Sequence, residues 1–351
     1  MEAQPPKRPS LGSLSSFRRQ SVSVSRADLI TLDSLNVGAG LPLVIRAAGA
    51  SLSLADWAQG NREFILANLL GYGGILFRDF IVASAAEFER FLRAVSAQLM
   101  EYTYSSTPRT NVSGGVYTST EYPADQSIPL HNEMSYARAW PLKIGFYCVT
   151  HAERGGETPI ADSRNVLRRI TPSLRKQFTE KRVRYIRNYG ERFDLPWQQV
   201  FRTTSKAEVE CYCREAGIDF EWLGDNGLRT RQVCQAVARR PGTGDEVWFN
   251  QAHLFHVSSL AKDVRESLLA AFDEHELPRN ACYGDGSPIS EDALAEIRDA
   301  YEQEAILFPW QAGDVLLLDN MLVAHGRRPY AGERRVLVGM AERYDFTEVM
   351  K

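Results

Sequence analysis

The chain has 351 residues, of which 44% are hydrophobic and 24% charged, so it holds enough apolar surface to offset the entropy of ordering and is not a disordered chain. Its 41 basic and 44 acidic residues leave a net charge of −3, too weak a field of either sign to draw nucleic acid or anionic lipid. No apolar run approaches the ~18 residues of a membrane helix, and five cysteines (Cys148, Cys211, Cys213, Cys234, Cys282) without a signal peptide read as free thiols of a cytoplasmic protein. Cys211 and Cys213 have no second cysteine pair or nearby histidine to complete a zinc site.

Residues 1–27 are rich in Ser, Pro and Arg and lack an apolar h-region, which predicts a flexible N-terminal arm ahead of one domain over 28–351. Trp57 to Tyr72 has apolar residues at helical spacing and ends at Gly71 and Gly73, as a C-cap would. Gly74 to Arg78 reads as a short buried strand and Ala85 to Leu99 as a second amphipathic helix. Gly115 to Ser119 and Leu142 to Val149 are β-like, with a polar, proline-punctuated loop carrying His131 between them. Asn165 to Glu180 is predicted helical and Tyr185 to Tyr189 extended. Helices over Lys206–Ala216 and Val264–His275 bracket strand candidates at Leu228–Val237 and Glu246–Phe249. Ser290 with Glu291 and Asp292 opens a helix to Glu304, and strands over Gly313–Asn320 and Arg334–Glu342 flank His325. Strands at both ends with a helical middle point to one continuous β-rich domain.

The chemistry-bearing residues gather around three of these elements. His131 and Glu133 stand two apart on an extended segment, so both side chains face one side and can reach one ion. His325, at the end of an apolar strand and before Gly326, is the candidate for a third ligand. Two histidines and one carboxylate on one face suit Fe(II), because three neighbouring positions stay open. Taken alone the His-X-Glu pair is weak, and a surface histidine beside an acid explains it equally. Arg335 follows on the next strand, where its fork is the natural partner of a distal carboxylate, while Val336, Val338 and Arg334 are expected to face away from it. Thr158, after Gly155-Gly156-Glu157, can add a hydroxyl to the same carboxylate.

The segments TSTEYPADQSIPLHNEMSYARAWP (118–141), GGETPIADSR (155–164), FRTTSKAEVECYC (201–213), LRTRQVCQAV (228–237), GDEVWFNQAHLFHVSSL (244–260) and GDVLLLDNMLVAHGRRPYAGERRVLVGM (313–340) resemble the TauD/TfdA family of Fe(II)/2-oxoglutarate-dependent oxygenases. Within it they are closest in pattern to the SyrP-like, clavaminate-synthase-like branch. The resemblance runs from about residue 30 to 345. It implies a double-stranded β-helix (jelly roll), mainly β with flanking helices, and an insertion over about 190–310 that forms a helical lid. It implies His131, Glu133 and His325 as iron ligands and Arg335 with Thr158 as the 2-oxoglutarate anchor. The cofactors implied are Fe(II), 2-oxoglutarate and O2. Glutamate at 133 departs from the aspartate of much of the family but matches this branch, and a carboxylate there argues against halogenation. Gly339, four residues after Arg335, stands where taurine-type enzymes carry an arginine, so a sulfonate substrate is not expected.

The implied reaction is hydroxylation of an unactivated C–H bond in an amino acid or amino-acid-derived intermediate of specialised metabolism, free or tethered to a peptidyl carrier protein. Desaturation, cyclisation and oxidative cleavage share the same iron site. A non-catalytic metal-binding jelly roll and a zinc hydrolase are the readings of other classes. Thr120, Glu121, Asn250, Gln251 and His253 are the substrate-contacting candidates, His256 lies in the same pocket-lining segment, and His151 and His275 are expected in solvent.

Overall fold

A computed structural model describes residues 29–36, 39–49, 51–100, 109–119, 122–190, 195–224 and 226–345. The expected N-terminal arm and the candidates Thr120 and Glu121 lie outside these residues. The framework is an eight-stranded, mostly antiparallel sheet in the spatial order Ile30–Asn36, Ala39–Ala47, Gly74–Arg78, Val315–Asp319, Ala139–Thr150, Arg335–Asp345, Val116–Thr118, Asn111–Ser113. A three-stranded sheet, with Val323–Arg327 between Ile128–His131 and Ile160–Asp162, packs across part of its inner face.

Side-chain alternation along the long strands divides the large sheet into two faces. Ile144, Phe146 and Cys148, Leu316 and Leu318, and Val336, Val338 and Met340 point inward to a core shared with Ile160 and Val323 of the small sheet. Tyr147, Val315, Leu317 and Leu337 point outward and are covered by helices Leu54–Gly60, Arg62–Tyr72 and Ala85–Val95. Gly74–Arg78 is buried at every residue because both of its faces are covered. Gly145 and Gly339 are register partners on the outward face, and a Cβ on either would stand 2.7 or 2.3 Å from Leu92. The two glycines form the notch that seats this leucine of the covering helix. Gly339 therefore faces the helix layer, contrary to its expected place at the substrate pocket, and Val338 holds the inward position.

The segment between the two halves of the jelly roll is of mixed structure. Besides helices Lys206–Ala216 and Lys262–Ala271 it contributes strands Asp219–Leu223, Gly227–Cys234 and Arg279–Tyr283, which join Val183–Tyr189 in a four-stranded antiparallel sheet. This sheet buries Tyr185, Tyr189, Leu228 and Ala281 in a core of its own against the C-terminal helix Glu291–Glu304, whose Ser290 caps it by accepting from the Ala293 N–H.

Two helices predicted as single are broken. Asn61 interrupts the first, leaving the helical region at φ −127° while its side chain donates to the Trp57 carbonyl, and a second helix runs from Arg62 to the left-handed cap at Gly73. Pro172 interrupts the other. It forces the preceding residue out of the α region and starts a new helix at Pro172–Lys181.

Candidate active site

His131 and His325 are direct register partners on the small sheet, so strand pairing alone brings their rings to a centroid distance of 4.6 Å. Gly326 permits this approach, since a Cβ there would stand 2.5 Å from the Ile128 carbonyl oxygen. Glu133 follows in the turn after the strand, with Oε2 3.8 Å from His325 Nε2. One donor atom from each of the three lies within 4.8 Å of the others, and no second such group of His, Cys, Asp and Glu occurs among the described residues.

The carboxylate is held by its backbone. Asn320, fully buried in the turn after Val315–Asp319, accepts from the Glu133 N–H at 2.7 Å and donates to the Glu133 carbonyl at 2.9 Å. Between the ligands, Asn132 points the other way and donates to Ser163 Oγ and the Asn320 carbonyl. Met134 closes the turn with φ +57°.

His131 Nδ1–H donates to the Pro129 carbonyl at 2.8 Å, which leaves the Nε2 lone pair for a ligand. Burial lowers the proton affinity of His131 and drives that of His325 well below the usual imidazole range, and the charge of Arg109 pushes both in the same direction. Two neutral imidazoles and one carboxylate are a donor set that fits a divalent first-row metal. Arg109 completes the cluster, its Nη2 donating to Glu133 Oε2 at 2.8 Å in a buried ion pair.

Two cavities reach the candidate ligands and share His131, Ile128 and Arg109 in their linings. The first is lined by His131, His325, Phe146, Thr158, Arg327 and Arg334, with Val336 and Val338 on its wall. Arg334 shares the inward face with these two valines, whereas Arg335 has the opposite parity and is exposed. The expected orientation of this pair is thus reversed. The face carrying the valines is the cavity wall, and it is Arg334 that reaches the pocket. The Arg334 side chain lies against Gly156, where a Cβ would approach its Cδ to 3.0 Å, and its Nε donates to the Gly156 carbonyl. No carboxylate of the described residues forms an ion pair with Arg334. Burial, with Arg327 nearby, pushes its pKa down to about 10. Glu157 is close enough to act on its charge, but with no ion-paired carboxylate among the described residues this desolvated guanidinium is a site that suits an anion. Thr158 Oγ1 accepts from Trp310 Nε1 at 3.0 Å, which leaves its own hydrogen free to donate, and the residue lines this cavity.

The second cavity is lined by Glu133, Tyr122, Tyr136, Gln251, Phe255 and Arg279. Of the expected substrate contacts, Gln251 is the one seen here, its Nε2 donating to the Asn132 carbonyl. Asn250 is not at the cavity. It is fully buried, its amide spent on the Ala236 carbonyl and the Ala252 N–H, because it shapes the turn into Ala252–Phe255. His253 is likewise turned away. Its Nε2–H donates to the Leu130 carbonyl, its ring stacks on Tyr301 at 4.7 Å, and burial takes its pKa down to about 3, so it braces the strand that carries His131. His256 bonds Ser258, and His151 and His275 are exposed.

Sequence reasoning missed Arg109, Asn320 and Arg327. Arg327 donates to the carbonyls of Tyr122, Pro123 and Gln126 and so ties the loop before His131 to the strand of His325. The available signal for Asn320 was a polar pair, Asp319-Asn320, closing an apolar strand; for Arg109 there was none.

Residues 38–341 match the family model described as taurine catabolism dioxygenase TauD, TfdA family. The chain is 44% identical over 307 residues to the dapdiamide synthesis protein DdaC of Enterobacter agglomerans, covering 86% of this chain and 93% of that protein. It is 34% identical over 285 residues to a clavaminate synthase-like protein of Arabidopsis thaliana, covering 77% and 82%. Among solved structures, the PvcB protein of Pseudomonas aeruginosa superposes with a TM-score of 0.54 at 15% identity, covering 91% and 93% of the two chains. A taurine dioxygenase from Burkholderia xenovorans does so at 0.53 and 17%, covering 89% of each.

Proposed function

Since the chain belongs to the TauD/TfdA family of Fe(II)- and 2-oxoglutarate-dependent dioxygenases, we propose that it hydroxylates an unactivated C–H bond of an amino acid or amino-acid-derived intermediate in natural-product biosynthesis. One observation carries this reading: a single set of candidate ligands lines both a cationic cavity and a second, mixed cavity. Support for the substrate class comes from the relative DdaC, a protein of dapdiamide synthesis, and PvcB, which shares the fold, belongs to an isonitrile synthetic pathway.

His131, Glu133 and His325 would hold the iron, which when bound with 2-oxoglutarate activates O2 and couples decarboxylation of the keto acid to oxidation of the substrate. The protein's own part is positional. Arg334 receives the distal carboxylate of 2-oxoglutarate in a charge-assisted bond, and the Thr158 hydroxyl donates to the same group. Phe146, Val336 and Val338 form an apolar wall that keeps water from the co-substrate. On the other side, Gln251 presents its carboxamide oxygen toward a substrate amine or amide, with Tyr136 and Phe255 shaping the wall.

The test is turnover of the iron-loaded protein with 2-oxoglutarate and O2 against free amino acids, amino-acid derivatives and aminoacyl carrier proteins. The expected result is succinate released in step with the gain of one oxygen atom by one member of the panel. Loss of a hydrogen pair without oxygen gain would replace hydroxylation by desaturation or cyclisation. Succinate that never rises above the substrate-free background would defeat the assigned substrate class.

A further inference from the structure

Arg334 is not the only guanidinium on the first cavity that lacks an ion-paired carboxylate among the described residues. Arg327 follows His325 by two residues on Val323–Arg327 and, like it, is buried and lines this cavity. Its Nη1 donates to the Tyr122 carbonyl at 3.0 Å, and its Nη2 to those of Pro123 and Gln126 at 2.6 and 2.8 Å. Carbonyls satisfy donors but bring no net charge, and these leave the Nε–H buried with no partner. The Tyr330 ring lies against both side chains, its centre 5.1 Å from Arg327 Cζ and 5.6 Å from that of Arg334. Glu157 acts on the charge of Arg334 without pairing with it, and Arg109, the third cation of this lining, is already paired with Glu133. Two buried cations beside one ring repel each other, and a buried N–H without a partner adds its own desolvation cost. An anion in this cavity answers both.

We propose that Arg327 is a second anchor for the distal carboxylate of 2-oxoglutarate, donating to it through the Nε–H that its loop contacts leave over. The inference rests on the reading of the Arg334 cavity as the 2-oxoglutarate site. The shared contact with Tyr330 puts the two arginines at the same end of that cavity, so both serve the carboxylate that Arg334 receives. Arg327 then has two duties: its Nη groups hold the loop before His131, and its Nε–H meets the co-substrate. Two arginines and the Thr158 hydroxyl offer more charge-assisted donors than one fork provides. A 2-oxo acid with an apolar end strands all of them, so the cavity selects strongly against it.

The experiment titrates the Fe(II)-loaded full chain anaerobically with 2-oxoglutarate and with 2-oxopentanoate, which carries a methyl group in place of the distal carboxylate. The visible charge-transfer absorption reports each affinity, and the ratio of the two reads recognition of the distal carboxylate alone. The wild type is compared with Arg327→Gln and Arg327→Lys, and cooperative thermal melts establish that each is folded. The wild type prefers 2-oxoglutarate. In Arg327→Gln that preference falls about tenfold or more, the scale of one lost charge-assisted bond, while 2-oxopentanoate binds as it does to the wild type. Arg327→Lys keeps the cation but puts no N–H at the Nε position, so it recovers only part of the preference. Should the glutamine form not fold, the lysine form decides alone. The inference is overturned if Arg327→Gln keeps the wild-type preference, or loses both affinities together, because Arg327 would then only hold the loop. Full preference in Arg327→Lys overturns it as well, by reducing the effect to charge at a distance. Failure of the underlying reading looks different: Arg334→Gln would leave the preference intact, or the wild type would show none, and the latter overturns both.

Discussion

Asn320 serves both backbone groups of Glu133 and the Pro141 carbonyl with one carboxamide, so the backbone that carries the Glu133 carboxylate is held from the turn after a different strand. Replacing it by Ala strands three buried backbone groups. The expected loss is about 2–4 kcal/mol of stability, read from the urea midpoint, together with weaker Mn(II) binding. The arginine pair makes a sharper prediction. Arg334→Gln should raise the 2-oxoglutarate KM about 10- to 100-fold, the scale of one lost charge-assisted bond, while Arg335→Gln leaves it nearly unchanged. Steady-state succinate assays decide between them. His131 and Glu133 were legible from their spacing, and His325 and Thr158 from the motifs that carry the family resemblance. Arg109 and Asn320 were not, because no motif marks either and each meets Glu133 only in the folded chain. Asn250 and His253 misled for the complementary reason: a polar side chain in a pocket-lining segment can be consumed entirely by the backbone that shapes the segment.

Strand parity explains the reversal at Arg334 and Arg335 at the level of the element. Alternation along Arg335–Asp345 was read correctly, with the two valines opposite Arg335, but a sequence does not say which face of a doubly covered strand meets the cavity. Both faces of this strand are apolar, one against the inner core and the other against the helix layer. The same double cover hid the role of Gly339, which is small to admit Leu92 and not to shape a substrate site. Gly339→Ala should therefore cost about 1–3 kcal/mol by overpacking without altering the 2-oxoglutarate KM, checked by thermal melting beside kinetics. Gly156 behaves in the opposite way. With φ +74° and a virtual Cβ 3.0 Å from Arg334 Cδ, Gly156→Ala should raise the 2-oxoglutarate KM as well as lower stability. The breaks at Asn61 and Pro172 were visible as residues, and what concealed the first was that apolar spacing continues across it.

Across the whole molecule the described residues form three buried clusters: one between the two sheets, one under the helices outside the large sheet, and one beneath the four-stranded sheet of the middle segment. The strands of that middle sheet were only partly legible, because Asp219–Leu223 and Arg279–Tyr283 are short, polar-studded and defined by pairing with distant partners. The cysteines report on this organisation. Burial pushes the thiols of Cys148 and Cys234 up to about 12 and that of Cys213 up to about 11, whereas Cys211 is exposed. At about pH 8 a thiol reagent should modify Cys211 first and reach Cys148 and Cys234 only at the rate of global unfolding.

The central claim is that His131, Glu133 and His325 form one iron site that opens on a 2-oxoglutarate cavity. Its most direct measurement is an anaerobic titration of the Fe(II)-loaded protein with 2-oxoglutarate, following the visible metal-to-ligand charge-transfer absorption. The account predicts a saturable band in the wild type that is lost in Glu133→Ala along with its iron. A band of undiminished intensity in Glu133→Ala, or iron retained in the wild type with no band at any 2-oxoglutarate concentration, would contradict it.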